Sequence, residues 1–351
     1  MKVAVAMSGG VDSSVAALLL LRAGNEVAGF TLRLFDGPKT DSAVADAAEV
    51  CRRIGIAHRE IDHRKEFSEI VIGNFGRQYG FGRTPNPCVR CNEFIKFGLL
   101  RNATTAAGFE FLATGHYASI RLAEDGQWGL FRSRKAAKDQ SYMLYRIDPT
   151  ALHRTLFPLE LLSKSEVRTA SREVGLTVHE RPESQDVCFI DGSYTDYLVA
   201  AGIVEEPGEI VDTSGRIVGR HTGVSRFTIG QRRNLGLPGG GIPFYVIAIE
   251  PSSRRVVVGV KADVFSTDFS IDDAKWLVDV AEGVPFECTV KVRYRTPGKV
   301  GTVTPLGQGA SVRLHEPQDA IAPGQSAVFY AGDRVLGGGY IERVTPRRSS
   351  Q

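Results

Sequence analysis

Short apolar runs and helical stripes alternate along the first half of the chain. Lys2–Met7 (KVAVAM) is the kind of continuous apolar run that forms a strand buried on both faces, and Ser13–Ala23 reads as a helix stopped by Gly24. Val27–Leu32 predicts the next strand. In Asp41–Ile54 the residues Val44, Ala47, Ala48, Cys51 and Ile54 share one helical face. A weaker strand near Arg59–Ile61, a helix over Lys65–Tyr79, a Gly/Pro loop at Gly80–Pro87, a helix at Asn92–Ala107 and a strand at Glu110–Thr114 follow. Strands alternating with crossover helices predict a parallel sheet covered on both faces. Asp125-Gly126 between two alternating runs marks a hairpin added to that sheet. Ser163-Lys164-Ser165-Glu166 is a capping box that opens one more helix.

The pattern changes near residue 202. Residues 202–262 hold 11 of the 38 glycines, with period-2 runs at Phe244–Ile249 and Arg255–Val260, which is an all-β signature. Strand patterns continue at Phe286–Tyr294, Ser311–Leu314, Ser326–Tyr330 and Tyr340–Val344. The expected class is α/β: a parallel-sheet domain over 1–201, then two small β-rich domains over 202–264 and 265–351, the last barrel-like. A length of 351 residues with 42% hydrophobic and 24% charged positions suits such a chain and excludes wholesale disorder. No apolar run reaches the ~18 residues of a membrane span. Five cysteines without a repeating spacing do not make a secreted disulfide scaffold, so a cytoplasmic protein with no membrane partner is expected. Lys plus Arg exceeds Asp plus Glu by only 43 − 40 = 3, so binding of a polyanion needs local basic patches.

Chemistry concentrates first at Ser8-Gly9-Gly10-Val11-Asp12-Ser13-Ser14, between the first strand and the first helix. Glycines there let backbone N–H groups turn toward an anion, and the helix N-terminus adds partial positive charge. The hydroxyls of Ser8, Ser13 and Ser14 could donate to phosphate oxygens, and Asp12 could hold a bridging metal. The run is neither G-x-x-x-x-G-K-[ST] nor G-x-G-x-x-G. Ala113-Thr114-Gly115-His116-Tyr117 ends a strand, where open α/β sheets place ligands.

Cys88-Val89-Arg90-Cys91 sits where a proline-stiffened loop enters a helix. The helix N-terminus and Arg90 are both expected to favour a thiolate. Cys188 is the third candidate, whereas Cys51 and Cys288 lie on apolar faces and read as core. Three readings of the reactive cysteines stay open: a redox pair, a zinc site completed by Cys188 and His179, and an iron–sulfur cluster on Cys88, Cys91 and Cys188. Three basic features are candidates for RNA phosphates: Arg132–Lys138, the strand face Lys291, Arg293 and Arg295, and Arg226, Arg232 and Arg233 around Thr228–Gln231.

The loop S-G-G-x-D-S-S resembles the pyrophosphatase-type loop of Rossmann-like, ATP-dependent adenylating enzymes. The chain as a whole resembles the tRNA-uridine 2-sulfurtransferases, or tRNA-specific 2-thiouridylases. The match runs in order through Ser8–Ser14, Thr84–Phe97, Ala113–Ala118, Lys138–Tyr145, Asp186–Ile190, Thr228–Arg232, Val292–Arg295, Pro323–Tyr330 and Leu336–Gly339. The resemblance implies an enzyme that uses ATP with Mg²⁺ to adenylate O2 of wobble uridine, U34, in tRNAs for Lys, Glu and Gln. It then replaces that oxygen by sulfur, releasing AMP and pyrophosphate.

By the same resemblance Ala6, Met7, Ser8, Gly9, Gly10, Val11, Asp12, Ser13 and Gly115 would hold ATP, with Leu32 beside the adenine. Cys188 would carry a persulfide and Cys91 would be the nucleophile that pairs with it in a disulfide. Asn86, Pro87 and Cys88 would approach the target base. His116, Lys138, Asp139, Gln140, Arg293, Tyr294 and Gln325 would touch tRNA. Many members have Asp where this chain has Cys88, which weakens an acid/base role there and makes a three-cysteine 4Fe-4S cluster easier to build. The sulfur donor would be a cysteine desulfurase or a sulfur relay protein. Two alternatives to the persulfide route remain: sulfide delivered by such a cluster, or a different adenylating ligase on the same loop.

Overall fold

The alternating patterns of the first half close into a five-stranded parallel sheet. Strand β1 (Lys2–Ala6) is followed by α1 (Val11–Arg22), β2 (Glu26–Arg33), α2 (Pro38–Ile54) and β3 (Ala57–Asp62). The computed structural model describes residues 1–135, 139–173, 187–190, 192–202, 205–237 and 243–345. These fall into two compact units: Met1–Ile72 with Cys88–Cys188 and Asp333–Val335, and Gly73–Pro87 with Phe189–Gly332 and Leu336–Gln351.

In the first unit β4 (Phe111–Thr114) pairs with β1, β5 (Ala118–Leu122) and β6 (Trp128–Arg132) form the expected hairpin, and β7 (Thr155–Leu156) completes the sheet order β3-β2-β1-β4-β7. The hairpin does not join that sheet as expected: Phe131 pairs antiparallel with Arg334, and the β4 edge is taken by β7, because a turn signal fixes the pairing within a hairpin and not the sheet it extends. Val3, Ala4 and Val5 are all fully buried, and successive strand side chains point to opposite faces, so both faces are covered. Val3, Val5 and Met7 pack with Val15, Ala16, Leu20, Ala47, Val50, Cys51 and Val167.

Two segments predicted as helices are helical throughout but change type along their length. The first runs as α3 (Arg64–Phe67), a π-helical turn at Ser68–Ile72 and α4 (Gly73–Gly80); the last of these belongs to the second unit. The second begins with α5 (Pro87–Arg90), widens into ten π-helical residues, Cys91–Leu100, and returns to α6 (Arg101–Ala106). A 3.6-residue stripe carries no signal for a wider turn, and π-helical segments recur at functional sites. Ser163 caps α7 (Lys164–Glu173) as expected: its amide donates to Glu166 Oε2 at 2.6 Å and its Oγ accepts the Glu166 amide at 3.3 Å.

In the second unit α8 (Tyr194–Ala200) precedes a four-stranded sheet of β8 (Gly208–Val211), β9 (Ile217–His221), β10 (Tyr245–Glu250) and β11 (Arg255–Gly259), ordered β10-β11-β8-β9 around Ile210, Phe227, Val246 and Val258. The remaining strands are β12 (Phe265–Trp276), β13 (Phe286–Lys291), β14 (Lys299–Leu306), β15 (Gly309–Asp319), β16 (Ser326–Ala331) and β17 (Arg334–Thr345). They run β12-β15-β14-β13-β16-β17, and pairing of β12 with β17 closes an antiparallel barrel. Cys288 lies inside with Val290, Val292 and Phe329, as its strand face predicts. The basic strand face does not form: β13 ends at Lys291, and Arg293 and Arg295 lie in the turn beyond it, where Thr296 Oγ1 donates to Arg293 O.

Candidate functional site

The loop after β1 is built around close approaches that only glycine permits. Gly9 has φ of +69°, and a Cβ there would lie 2.6 Å from the Ala43 carbonyl oxygen. A Cβ on Gly115 would meet the Ser13 nitrogen at 2.7 Å, so the end of β4 rests directly on the loop. No side chain caps α1, so its leading N–H groups keep no intrahelical partner and its positive end faces the loop. That is a cradle suited to nucleotide phosphates. The hydroxyls are less available than the sequence suggested. Ser14 Oγ donates to Gly10 O at 2.9 Å, and Ser13 Oγ donates to the same oxygen while accepting the Ser8 amide. Ser8 alone of the three is exposed.

Asp12 does not stand open as a metal ligand. Lys164 Nζ lies 2.7 Å from each of its oxygens, and Tyr117 Oη donates to Oδ1 at 2.7 Å. The capping box seats Lys164 in the first turn of α7, which explains how a residue 152 positions away reaches the loop. Sequence reasoning missed both Lys164 and Tyr117. The capping box located Lys164 on a helix start, but nothing local pointed it at Asp12.

Tyr117 also faces the other way. Its amide donates to Gln140 Oε1 at 2.9 Å, and the Gln140 amide donates to Tyr117 O at 2.7 Å. Neighbouring Asp139 accepts from the amides of Ser133 and Ser141 and from Ser141 Oγ, so its carboxylate holds its own turn. Lys138, His179 and Asp186 lie outside the described residues. Leu32 is half-buried at the end of β2.

Cys91 opens the π-helical segment and is buried, while Cys88 and Cys188 are exposed; none of the five cysteines is in a disulfide. The expectation of a ready thiolate is overturned. Burial is the main cause that pushes the Cys91 thiol up to about 12; Lys96 opposes it, and Cys188 and Cys88 add smaller upward contributions. Although part of Cys88 reaches solvent, the groups packed around it desolvate its thiol enough to raise it against the pull of Lys96. Arg90 acts elsewhere: its Nε donates to Ile70 O at 2.9 Å, and its guanidinium lies 4.9 Å from the Phe94 ring centroid. Loss of water around sulfur outweighs the charges nearby.

The segment is fastened by a buried ion pair, Arg146 Nε and Nη2 donating to the two Glu93 oxygens, and by Asn92 Nδ2 on Met143 O. His116 is bonded through Nδ1 to Thr114 Oγ1 at 2.7 Å and packs near Phe97 and Phe157. Burial, with Lys96 adding to it, holds the imidazole well below its usual range, so it is neutral at pH 7. Among the described residues no three His, Cys, Asp or Glu side chains are placed to hold a metal ion. The cysteines as they stand therefore do not fit a cluster.

A second gathering lies within the other unit. Gln325 Nε2 donates to Thr84 O at 2.9 Å, the Thr84 amide donates to Pro323 O, and Thr84 Oγ1 donates to Thr228 Oγ1. Arg293 Nη2 donates to Ile229 O at 3.2 Å. Four motifs far apart in sequence thus meet around Thr84-Pro85, with Asn86 half-buried and Pro87 buried next in the chain and Tyr294 half-buried beside Arg293. Arg226 is paired with Glu205, which leaves Arg232 and Arg233 as the exposed cations of that loop. Among the described residues no helix is long and apolar enough to cross a membrane.

Family models match along the chain: a tRNA methyl transferase HUP domain over residues 1–192, a tRNA methyl transferase PRC-barrel domain over 196–260 and an aminomethyltransferase β-barrel domain over 266–341. The chain is similar to the tRNA-specific 2-thiouridylase MnmA of Chloroflexus aurantiacus, at 44% identity over 97% of this chain and 98% of that one. The enzymes of that name from Pelobacter propionicus and Acidithiobacillus ferrooxidans are 43% and 42% identical, covering 99% of both chains and 97% and 98% respectively. Among solved structures, the U34-tRNA thiolase NcsA of Methanococcus maripaludis, with its 4Fe-4S cluster, gives a TM-score of 0.37 at 21% identity over 57% of this chain and 64% of that one. The HUP model carries a methyltransferase name, but the relatives matched from end to end carry a 2-thiouridylase name. On that full-length similarity the chain belongs to the tRNA-specific 2-thiouridylase family, and it is a transferase.

Proposed function

We propose that this protein converts U34 of tRNAs for Lys, Glu and Gln to 2-thiouridine by adenylation followed by persulfide transfer. The uridine O2 attacks the α-phosphorus of ATP; the bond to the β-phosphate breaks and pyrophosphate leaves, while the N–H groups at the start of α1 donate to the phosphate oxygens and stabilise their charge. The terminal sulfur of a Cys188 persulfide then attacks C2, and AMP departs with the C–O electron pair. Cys91 attacks Sγ of Cys188, which forms a disulfide and leaves the second sulfur on the base. An external dithiol must reduce that disulfide before the next turnover. No step runs through a protein-held metal.

The observation that carries this reading is the placing of two free cysteines, buried Cys91 and exposed Cys188, in the unit that contains the phosphate loop, near enough for Cys188 to raise the Cys91 thiol. Their unequal exposure supports the division of labour. A donor protein, a desulfurase or a relay, can load exposed Cys188 but not buried Cys91. The motifs gathered around Thr84 would hold the tRNA, with Asn86, Pro87 and Cys88 at the target base and His116, Lys138, Asp139 and Gln140 along the RNA. The family membership does not favour the alternative of a different adenylating ligase. Cys91→Ser and Cys188→Ser are each expected to abolish single-turnover thiolation with tRNA binding intact. Thiolated product from either variant would overturn the assignment.

A further inference from the structure

We infer that Tyr117 couples tRNA binding to nucleotide binding: it is a positioning residue whose backbone holds Gln140 and whose hydroxyl holds Asp12. The inference rests on the proposed function, in which Gln140 meets RNA and the Asp12 loop meets ATP. The geometry is specific. Two hydrogen bonds, 2.9 and 2.7 Å long, join the Tyr117 backbone to Gln140 in both directions. A third, 2.7 Å long, runs from the phenol to Asp12 Oδ1, and Lys164 Nζ completes the carboxylate's shell at 2.7 Å.

Tyr117 is 2% exposed, so its ring is fixed by packing and a displacement of its backbone is carried to the hydroxyl. Gln140 has one side-chain carbonyl, and in the absence of RNA that oxygen accepts the Tyr117 amide. RNA that displaces the Gln140 side chain loosens that bond, and the shift passes through the Tyr117 backbone to its phenol and so to the Asp12 carboxylate. Asp12 and Lys164 sit in the first turns of α1 and α7, the former within the phosphate cradle, so their exchange changes the charge presented to ATP. Coupling of this kind is reciprocal: nucleotide must alter tRNA affinity by the factor by which tRNA alters nucleotide affinity.

The test is the affinity of the full-length protein for tRNA with and without a non-hydrolysable ATP analogue, in wild type and in Tyr117→Phe. The phenylalanine keeps the buried ring and removes only the hydroxyl. Wild type should show coupling of about five-fold or more, and Tyr117→Phe should bring the ratio within about two-fold of unity. Gln140→Leu, which leaves the phenol in place, should also lose the ratio. A Tyr117→Phe protein that keeps wild-type coupling overturns the inference, as does a wild type that thiolates tRNA without coupling. A wild type that binds neither ligand overturns the functional reading and the coupling with it.

Discussion

Asp12, in the phosphate loop, has Lys164 on both oxygens and a phenol on one, whereas Cys91, in the same unit, is buried with Cys88 and Cys188 close by and Lys96 as the opposing cation. The first region surrounds a carboxylate with donors. The second withholds a charge by removing water from sulfur. The difference suits two chemistries: a phosphate site has to be charged and ordered before substrate arrives, while a thiol that is protonated at rest resists alkylation and oxidation until its partner is loaded.

The sharpest way to break the contrast is to take away the cation of the first region. Lys164→Met leaves Asp12 as an uncompensated anion beside the phosphate cradle. Repulsion between that carboxylate and the phosphates should weaken ATP binding by roughly 10- to 100-fold, about 1.4–2.8 kcal/mol. Titration with the ATP analogue measures this, and the iodoacetamide reactivity of Cys88 provides the control from the second region. ATP affinity within about two-fold of wild type would show that Lys164 does not serve the phosphate site.

A pH series tests the second region. A thiol near 12 has a thiolate fraction that rises about tenfold per pH unit, so alkylation of Cys91, read by peptide mass spectrometry, should climb from pH 7 to 9 without levelling. Stability carries the same signature. The folded state holds the Cys91 proton more tightly than the unfolded state, whose thiol titrates near 9. Stability is therefore complete below about pH 9 and is lost as pH rises toward 12. His116 supplies the opposite limb: the unfolded imidazole binds a proton near 6.5 and the buried one does not, so stability falls as pH drops below that value. Urea unfolding across pH with Cys91→Ala and His116→Phe should make one limb each shallower, with Cys51, Cys288 and Tyr79 keeping the rest of the alkaline limb and His58 and His221 the rest of the acid one. A plateau in Cys91 alkylation near neutral pH would mean an activated thiolate and erase the contrast.

The two regions were also unequally legible in the sequence. The phosphate loop announced itself because a strand, two glycines, three hydroxyls and a helix start are local features, and the hairpin at Asp125-Gly126 and the capping box at Ser163 were readable for the same reason. The ionisation of Cys91 was misread because helix-end polarity is local, whereas the burial that outweighs it is supplied by the fold. Period-2 reading carried the barrel strand past Lys291 because Val292–Arg295 alternates like a strand while turning away from the sheet. The Glu93–Arg146 pair and the Lys164–Asp12 contact join residues 53 and 152 positions apart, a separation at which no sequence pattern operates.

The smallest expected effect tests whether the cap of α7 serves the phosphate site or only the helix. Ser163→Ala removes the hydroxyl that accepts the Glu166 amide, which should lower stability by about 1 kcal/mol. Lys164 is the next residue, and its ammonium reaches Asp12 only while the first turn of α7 holds its direction. If the cap orients Lys164, ATP affinity falls by about two- to five-fold along with the stability, roughly 0.4–1 kcal/mol and well short of the Lys164→Met loss. If the cap is merely a helix stop, the melting temperature drops while ATP affinity stays at the wild-type value. In that case the Asp12–Lys164 contact is strong enough to hold the turn by itself.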